Sequence, residues 1–201
     1  MASNARTAPA PLTERVILDA ALELIAEAGV EQMSMRQLSG RLGVSLGATY
    51  RHVATREELL ALCARELWAQ ALRPRLEHED PMAWVREQMS SVYTVVSAYP
   101  GMASYMIARI DLAQSPMAAV QQALLEAGQP PEVEEVIRLV LSFYLMGVML
   151  AGPDIFAAIG IADPRPDIER GLDLILGPAL GRPNAARKPT KGRRGRLRSS
   201  P

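Results

Sequence analysis

Apolar positions recur at helical spacing over almost the whole chain. Between Thr13 and Gly29, residues Val16, Ile17, Ala20, Leu24, Ile25 and Ala28 fall three or four apart, which gathers them on one helical face. Thr13 stands where an N-cap hydroxyl accepts from a free amide, and Gly29 stands where a left-handed residue ends a helix. Ser34 and Gln37 have the S-x-x-Q spacing of a capping box, and Thr55 and Glu58 have the matching S/T-x-x-E spacing. Helices are therefore predicted to start at both places. In the first of them Leu38 and Leu42 lie on one face, Gly43 permits a sharp turn, Val44 buries it, and a third short helix begins near Ser45.

The helix that starts at Thr55 carries Leu59, Leu60, Leu62, Leu67 and Trp68 before Pro74, a length that takes it out of the N-terminal unit and into a second layer. Pro81 opens the next helix, which runs to about Tyr99 and is stopped by Pro100-Gly101. Further helices are predicted at about 102–113, 116–127, 131–151 and 167–180, with Pro or Gly at most joints. No stretch alternates at the period of a strand, so the predicted fold is all-α.

Composition narrows this picture. Half the 201 residues are apolar and few are aromatic, which is enough to bury a core and is typical of helices. The single cysteine, Cys63, excludes a disulfide framework and a cysteine-based zinc site, as in a reducing cytoplasm. The first twelve residues, rich in Ala and Pro, lack the apolar block of a secretory signal and read as a disordered arm. The longest uncharged stretch, Leu139 to Pro153, is shorter than a membrane span and reads as a buried helix of a soluble, cytoplasmic protein. Acidic and basic residues balance at 22 each, yet eight of the basic ones lie in the last twenty residues, which hold no acid. Residues 182–201 are thus a basic tail, expected to be disordered. Either it adds non-specific DNA affinity or it solubilises, and Arg194-Gly195-Arg196 faintly resembles an AT-hook.

A second concentration of positive charge lies inside the folded part. Between Gln32 and Arg56 there is no acidic residue, while Arg36, Arg41, Arg51 and Arg56 all fall there, on the predicted helical hairpin. Leu46, Gly47, Ala48, Tyr50, Arg51 and His52 give its second helix small, aromatic and basic side chains suited to a DNA groove.

The linked motifs RVILDAALELIAEAG, SMRQLSGRLGVS, GATYRHV and TREELL resemble the DNA-binding region of the tetracycline-repressor (TetR) family of transcriptional regulators, over about Thr13 to Leu72. Ser39 departs from the family pattern, where a small apolar residue packs between the helices, and so does Thr49, where an aliphatic residue is usual. The expectation is a hairpin packed less tightly than its relatives. The resemblance implies an N-terminal three-helix helix-turn-helix domain joined by a connector helix to a C-terminal helical bundle that dimerises. The boundaries expected here are 13–56 for the DNA-binding domain and 57–181 for the ligand-binding and dimerisation domain.

The expected DNA contacts are Ser34, Arg36, Ser45, Leu46, Gly47, Ala48, Tyr50, Arg51, His52 and Arg56. By resemblance Ser34, Arg36 and Arg56 grip phosphates. Arg51 has the bidentate geometry for a guanine edge, Leu46 and Ala48 suit thymine methyls, and Tyr50 and His52 either reach phosphate or pack locally. Trp84, Met89, Tyr93, Met102, Tyr105, Met106, Phe143, Tyr144 and Met149 are the candidates to line a ligand cavity, although the same side chains fill ordinary cores. Arg109, within an apolar stretch, is expected to be buried with Asp111 or a helix-terminal carbonyl as partner, and an anionic ligand is the other reading.

Enzyme chemistry finds no motif. His52 lies in the hairpin and His78 in a charged loop, no metal-ligand or cofactor spacing is present, and Glu134-Glu135 reads as a solvated helix face. The function expected is a one-component transcriptional regulator of the repressor type. It binds a pseudo-palindromic operator in double-stranded DNA as a homodimer and is released by an apolar or aromatic small-molecule effector. The rival reading is a ligand-independent helix-turn-helix architectural or accessory protein. The expected dimer contact is a stripe including Val136, Val140, Leu141 and Leu145 on one helix, with Leu172, Ile175, Leu176 and Leu180 on the last.

Overall fold

The computed structural model describes residues 11–109 and 117–180. The arm at 1–10, Asp111 and the basic tail at 182–201 lie outside the described residues. Among the described residues all regular structure is helical: α1 Glu14–Ala28, α2 Met35–Leu42, α3 Leu46–Tyr50, α4 Arg56–Ala71, α5 Pro81–Ser97, α6 Met102–Ile107, α7 Met117–Glu126, α8 Pro131–Ala158 and α9 Arg165–Leu180.

The local signals act where the sequence places them. The Thr13 side chain accepts from the Val16 amide, and Gly29 closes α1 at φ 84°. Ser34 and Gln37 form both halves of a capping box, and Gly43 turns the chain at φ 66° in the left-handed region. At α4 the box is shifted by one residue: Thr55 accepts from the Glu58 amide, while the Glu58 carboxylate accepts from Ala54 N–H at 2.8 Å.

Two buried cores result. The first joins α1, α2 and α4, through Ile17, Ile25, Leu38, Leu60 and Leu67, to Val96 of α5 and Met102 of α6. The second packs the start of α5 against α7, α8 and α9 through Trp84, Met89, Leu124, Leu141 and Leu172. Cys63 is wholly buried in the first core, where burial pushes its thiol up to about 12 and keeps it protonated.

The end of α4 is pinned to the second layer. Arg73 N–H donates to the buried Gln88 carbonyl oxygen at 2.8 Å, and the Trp84 indole donates to Arg73 O at 3.2 Å. The Arg73 guanidinium bridges Glu79 and Glu87, and its hydrogen bonds hold the Glu79 carboxyl down at about 2.

The sequence predicts a helix over 131–151, and α8 follows it until Gly152 breaks the axis at φ 64°, ψ 174°. Pro153, which has no N–H, follows, and a further turn of helix leads away to Ala158. Three expectations change here. The stretch Leu139 to Pro153 is buried on one side only: Leu141 and Leu145 are buried, whereas Leu139, Val140, Phe143 and Leu150 face outward, Phe143 being 62% exposed. The helix over 131–152 is long and apolar enough to cross a membrane by length and composition, because its apolar residues extend N-terminal to the uncharged stretch. Glu134 is not solvated: it is 3% exposed and accepts from Arg138 Nε at 3.1 Å and from Gln121 at 3.4 Å.

Candidate nucleic-acid interface and ligand cavity

The hairpin of α2 and α3 is built on hydroxyls. Ser39 Oγ donates to Met35 O at 2.8 Å and lies 2.8 Å from Thr49 Oγ1, with both residues buried. One Ser39 proton serves Met35 O, so the Thr49 hydroxyl donates to Ser39 Oγ, giving a directed chain from α3 through α2. The two departures from the family pattern therefore meet. Where the family pattern has an apolar contact, this hairpin has a satisfied polar one. Ser39→Ala or Thr49→Val alone is expected to cost about 1 to 3 kcal/mol, because one change unpairs a buried hydroxyl and the other packs a methyl against one. The double substitution is expected to cost less than the sum of the single ones, and a double-mutant cycle in urea measures that coupling.

This packing aims α3 outward. Ser45 caps it by accepting from Ala48 N–H at 3.2 Å, and the Leu46 and Tyr50 side chains are 42% and 43% exposed. Gly47, Arg51, His52 and Arg36 are exposed with them, while Ala48 is half-buried and Ser34 is spent on its capping box. Neither Arg36 nor Arg51 has an ion-pair partner among the described residues, so both guanidinium groups are free for an anion. Arg41 differs, since Glu27 and Glu23 of α1 hold it. Arg56 differs too. Its Nε donates to Met33 O at 2.8 Å and its Nη2 to Val30 O at 2.5 Å, which makes it a strut between the start of α4 and the loop from α1 to α2.

Below this unit a cavity of about 490 Å³ lies between α5, α6 and the broken end of α8. Tyr93 and Ser97 line one wall, Pro100 and Gly101 the floor, and Met149 and Phe156 the two arms of α8. Burial pushes the Tyr93 phenol up, opposed by its hydrogen bond with Ser97.

Of the residues singled out for a ligand, Tyr93 and Met149 line this cavity. Trp84 and Met89 lie in the second core, whereas Met102, Tyr105 and Met106 lie in the first. Phe143 faces outward, and the Tyr144 hydroxyl donates to Ile168 O at 3.2 Å. Arg109 is exposed and not buried. It pairs with Glu57 of α4 and stacks over the Tyr105 ring at 4.2 Å. An acid 52 positions away meets it because the Arg109 and Tyr105 side chains reach Glu57 at the start of α4, a proximity no local pattern contains. The cavity itself was missed because it depends on the break at Gly152; the Gly-Pro pair after Ala151 was its only signal.

A family profile described as bacterial regulatory proteins, tetR family, matches residues 17–63. An HTH-type transcriptional regulator of Saccharopolyspora erythraea is 36% identical over 81 residues, which are 40% of this chain and 33% of that protein. The chain thus spans about a third of the length of that curated relative. Among solved structures, the TetR family protein ActR of Streptomyces coelicolor in complex with (S)-DNPA superposes with a TM-score of 0.62 at 23% identity, covering 85% of this chain and 98% of that one. TetR of Acinetobacter baumannii AYE superposes with a TM-score of 0.66 at 23% identity over 84% and 96%. BioQ bound to its natural double-stranded DNA operator superposes with a TM-score of 0.62 at 19% identity over 84% and 98%. The likeness to these structures extends over both helical layers and establishes the fold.

Proposed function

We propose that this chain, whose residues 17–63 match the tetR family profile, is a transcriptional repressor of that family which binds a pseudo-palindromic operator as a homodimer and leaves it when a small molecule enters the second domain. That makes it a DNA-binding protein of the cytoplasm and not an enzyme. The observation that carries the DNA-binding reading is the pair of unpartnered guanidinium groups, Arg36 and Arg51, on the exposed hairpin beside Leu46 and Tyr50.

In this reading α3 enters the major groove, Arg51 addresses a base edge, Arg36 meets phosphate, Ser34 caps the start of α2, and Arg56 holds the hairpin at its angle. One five-residue helix covers a few base pairs, so specificity calls for two copies. A second observation supports the dimer. Val136, Val140, Phe143 and Leu150 form an outward stripe on α8 with Gly147 in its middle, where no atom would meet a Cβ. Leu174 of α9 is 72% exposed. Each such side chain contributes about 1.5 to 3 kcal/mol when fully buried, and association costs about 4 to 15 kcal/mol, so this face covered by its own copy is sufficient. The cavity favours effector control over the ligand-independent alternative, and BioQ and ActR show the same fold with operator DNA and with a small molecule. Because half-sites are about 34 to 36 Å apart, a modest swing of α4 in each subunit misplaces both recognition helices.

Selection on random duplexes tests the proposal and is expected to enrich a symmetric site. Against that site Arg51→Ala loses roughly 5- to 150-fold in discrimination, about 1 to 3 kcal/mol, while Arg36→Ala weakens all sequences alike and flattens the salt dependence. Enrichment of no symmetric sequence would sink the reading.

A further inference from the structure

We infer that the cavity between α5, α6 and the broken end of α8 takes an uncharged, mainly apolar molecule with one hydrogen-bonding group, and that the α5–α6 turn transmits its arrival directly to the loop between α1 and α2. This rests on the reading of the second domain as an effector domain and names the ligand class and the route of the signal.

The ligand class follows from the walls. Among the described residues none that lines the cavity is charged. The charges felt at the Tyr93 phenol are those of Asp163 and Arg165, which pair with each other, so an ionised ligand would leave water and meet no unpaired opposite charge. The hydroxyls of Tyr93, Ser97, Tyr99 and Ser104 are the neutral side-chain donors and acceptors on the lining, and the other lining side chains are apolar. A volume of about 490 Å³ suits a small molecule, since such pockets span roughly 300 to 1,000 Å³.

The route follows from the floor. Pro100 and Gly101 face the cavity on one side and the α1–α2 loop on the other: Val30 N–H donates to Pro100 O at 2.9 Å. The contact interlocks through two glycines. A Cβ at Gly101 would stand 3.2 Å from Val30 Cβ, one at Gly29 would stand 3.4 Å from Pro100 O, and both residues have positive φ, at 83° and 84°. Without slack at this contact, a displaced turn displaces Val30. Val30 O and Met33 O are in turn held by Arg56, so the movement reaches the start of α4 and the Ser34 cap of α2 together. A second tether runs beside it, from the Tyr105 hydroxyl to Glu57 O at 3.3 Å. The α1–α2 loop therefore receives the signal in addition to any swing of α4.

The full chain, its selected operator duplex and N-phenyl-1-naphthylamine, a neutral apolar fluorophore, are sufficient for the test. The probe is expected to bind with enhanced fluorescence and to weaken operator binding roughly 5- to 150-fold. It is also expected to change the exchange rate of the Val30 amide at least fivefold. Ser97→Trp, which puts an indole into the cavity, should abolish probe binding and with it any effect of the probe on operator binding. Val30→Ala, which opens space above Gly101, should bind probe and operator separately and lower the coupling between them at least threefold. No probe binding to the unaltered chain, or binding that survives Ser97→Trp, would remove the cavity as an effector site. Binding blocked by Ser97→Trp but with an unchanged Val30 amide, or with full coupling in Val30→Ala, would overturn the route alone.

Discussion

Phe143→Asp is expected to give a folded monomer that no longer holds a symmetric operator. Phe143 is among the most exposed large apolar residues of α8 and lies centrally in the outward stripe from Val136 to Leu150, so the change removes nothing from either buried core. In a two-fold dimer the same patch meets itself, and each carboxylate is brought toward its copy in an apolar surround. Like charges so placed cost several kcal/mol, which raises the dimer dissociation constant by two orders of magnitude or more. Operator binding falls with it, because one hairpin alone reads a single half-site. Sedimentation at micromolar concentration, circular dichroism and operator titration separate the outcomes. A dimer that persists in Phe143→Asp would move the interface off this face of α8.

Gly171→Val is expected to destabilise the packing of α8 against α9. A Cβ at this point of α9 would run into the hydroxyl and ring of Tyr144, which reaches across from α8 to donate to Ile168 O at 3.2 Å. Overpacking of this kind costs about 1 to 3 kcal/mol. For a chain of this length that lowers the melting temperature by about 2 to 4 °C per kcal/mol. Tyr144→Leu removes the ring, so the double variant is expected to recover much of the loss. A double variant no more stable than Gly171→Val would mean that the notch matters for the α9 backbone and not for the Tyr144 ring.

The sequence by itself determined the elements and the charged hairpin. Helical period, the Ser34–Gln37 box, the left-handed Gly43 and the break at Pro100-Gly101 act over a few residues, and such signals keep their meaning whatever the rest of the chain does. Exclusion of acid from Gln32 to Arg56 is likewise a property of composition, and it marks the exposed face carrying Arg36 and Arg51.

Tertiary structure decided what each side chain meets. Ser39 and Thr49 read separately are two weak packing residues, and only the crossing of α2 and α3 makes them one satisfied pair. Arg56 looks like a phosphate contact until the loop carbonyls of Val30 and Met33 claim it, and Arg109 looks buried until Glu57 arrives from α4. The apolar stripes of α8 and α9 were legible as stripes, but Leu141, Leu172 and Leu176 turn into the second core while Val136, Val140 and Phe143 turn out. Periodicity shows that a face is apolar and cannot show what covers it, because that depends on contacts between residues far apart in the chain. The cavity is the extreme case: it exists where the break at Gly152 carries one end of α8 across the α5–α6 turn, and apart from that Gly-Pro break no local pattern in the lining residues says so.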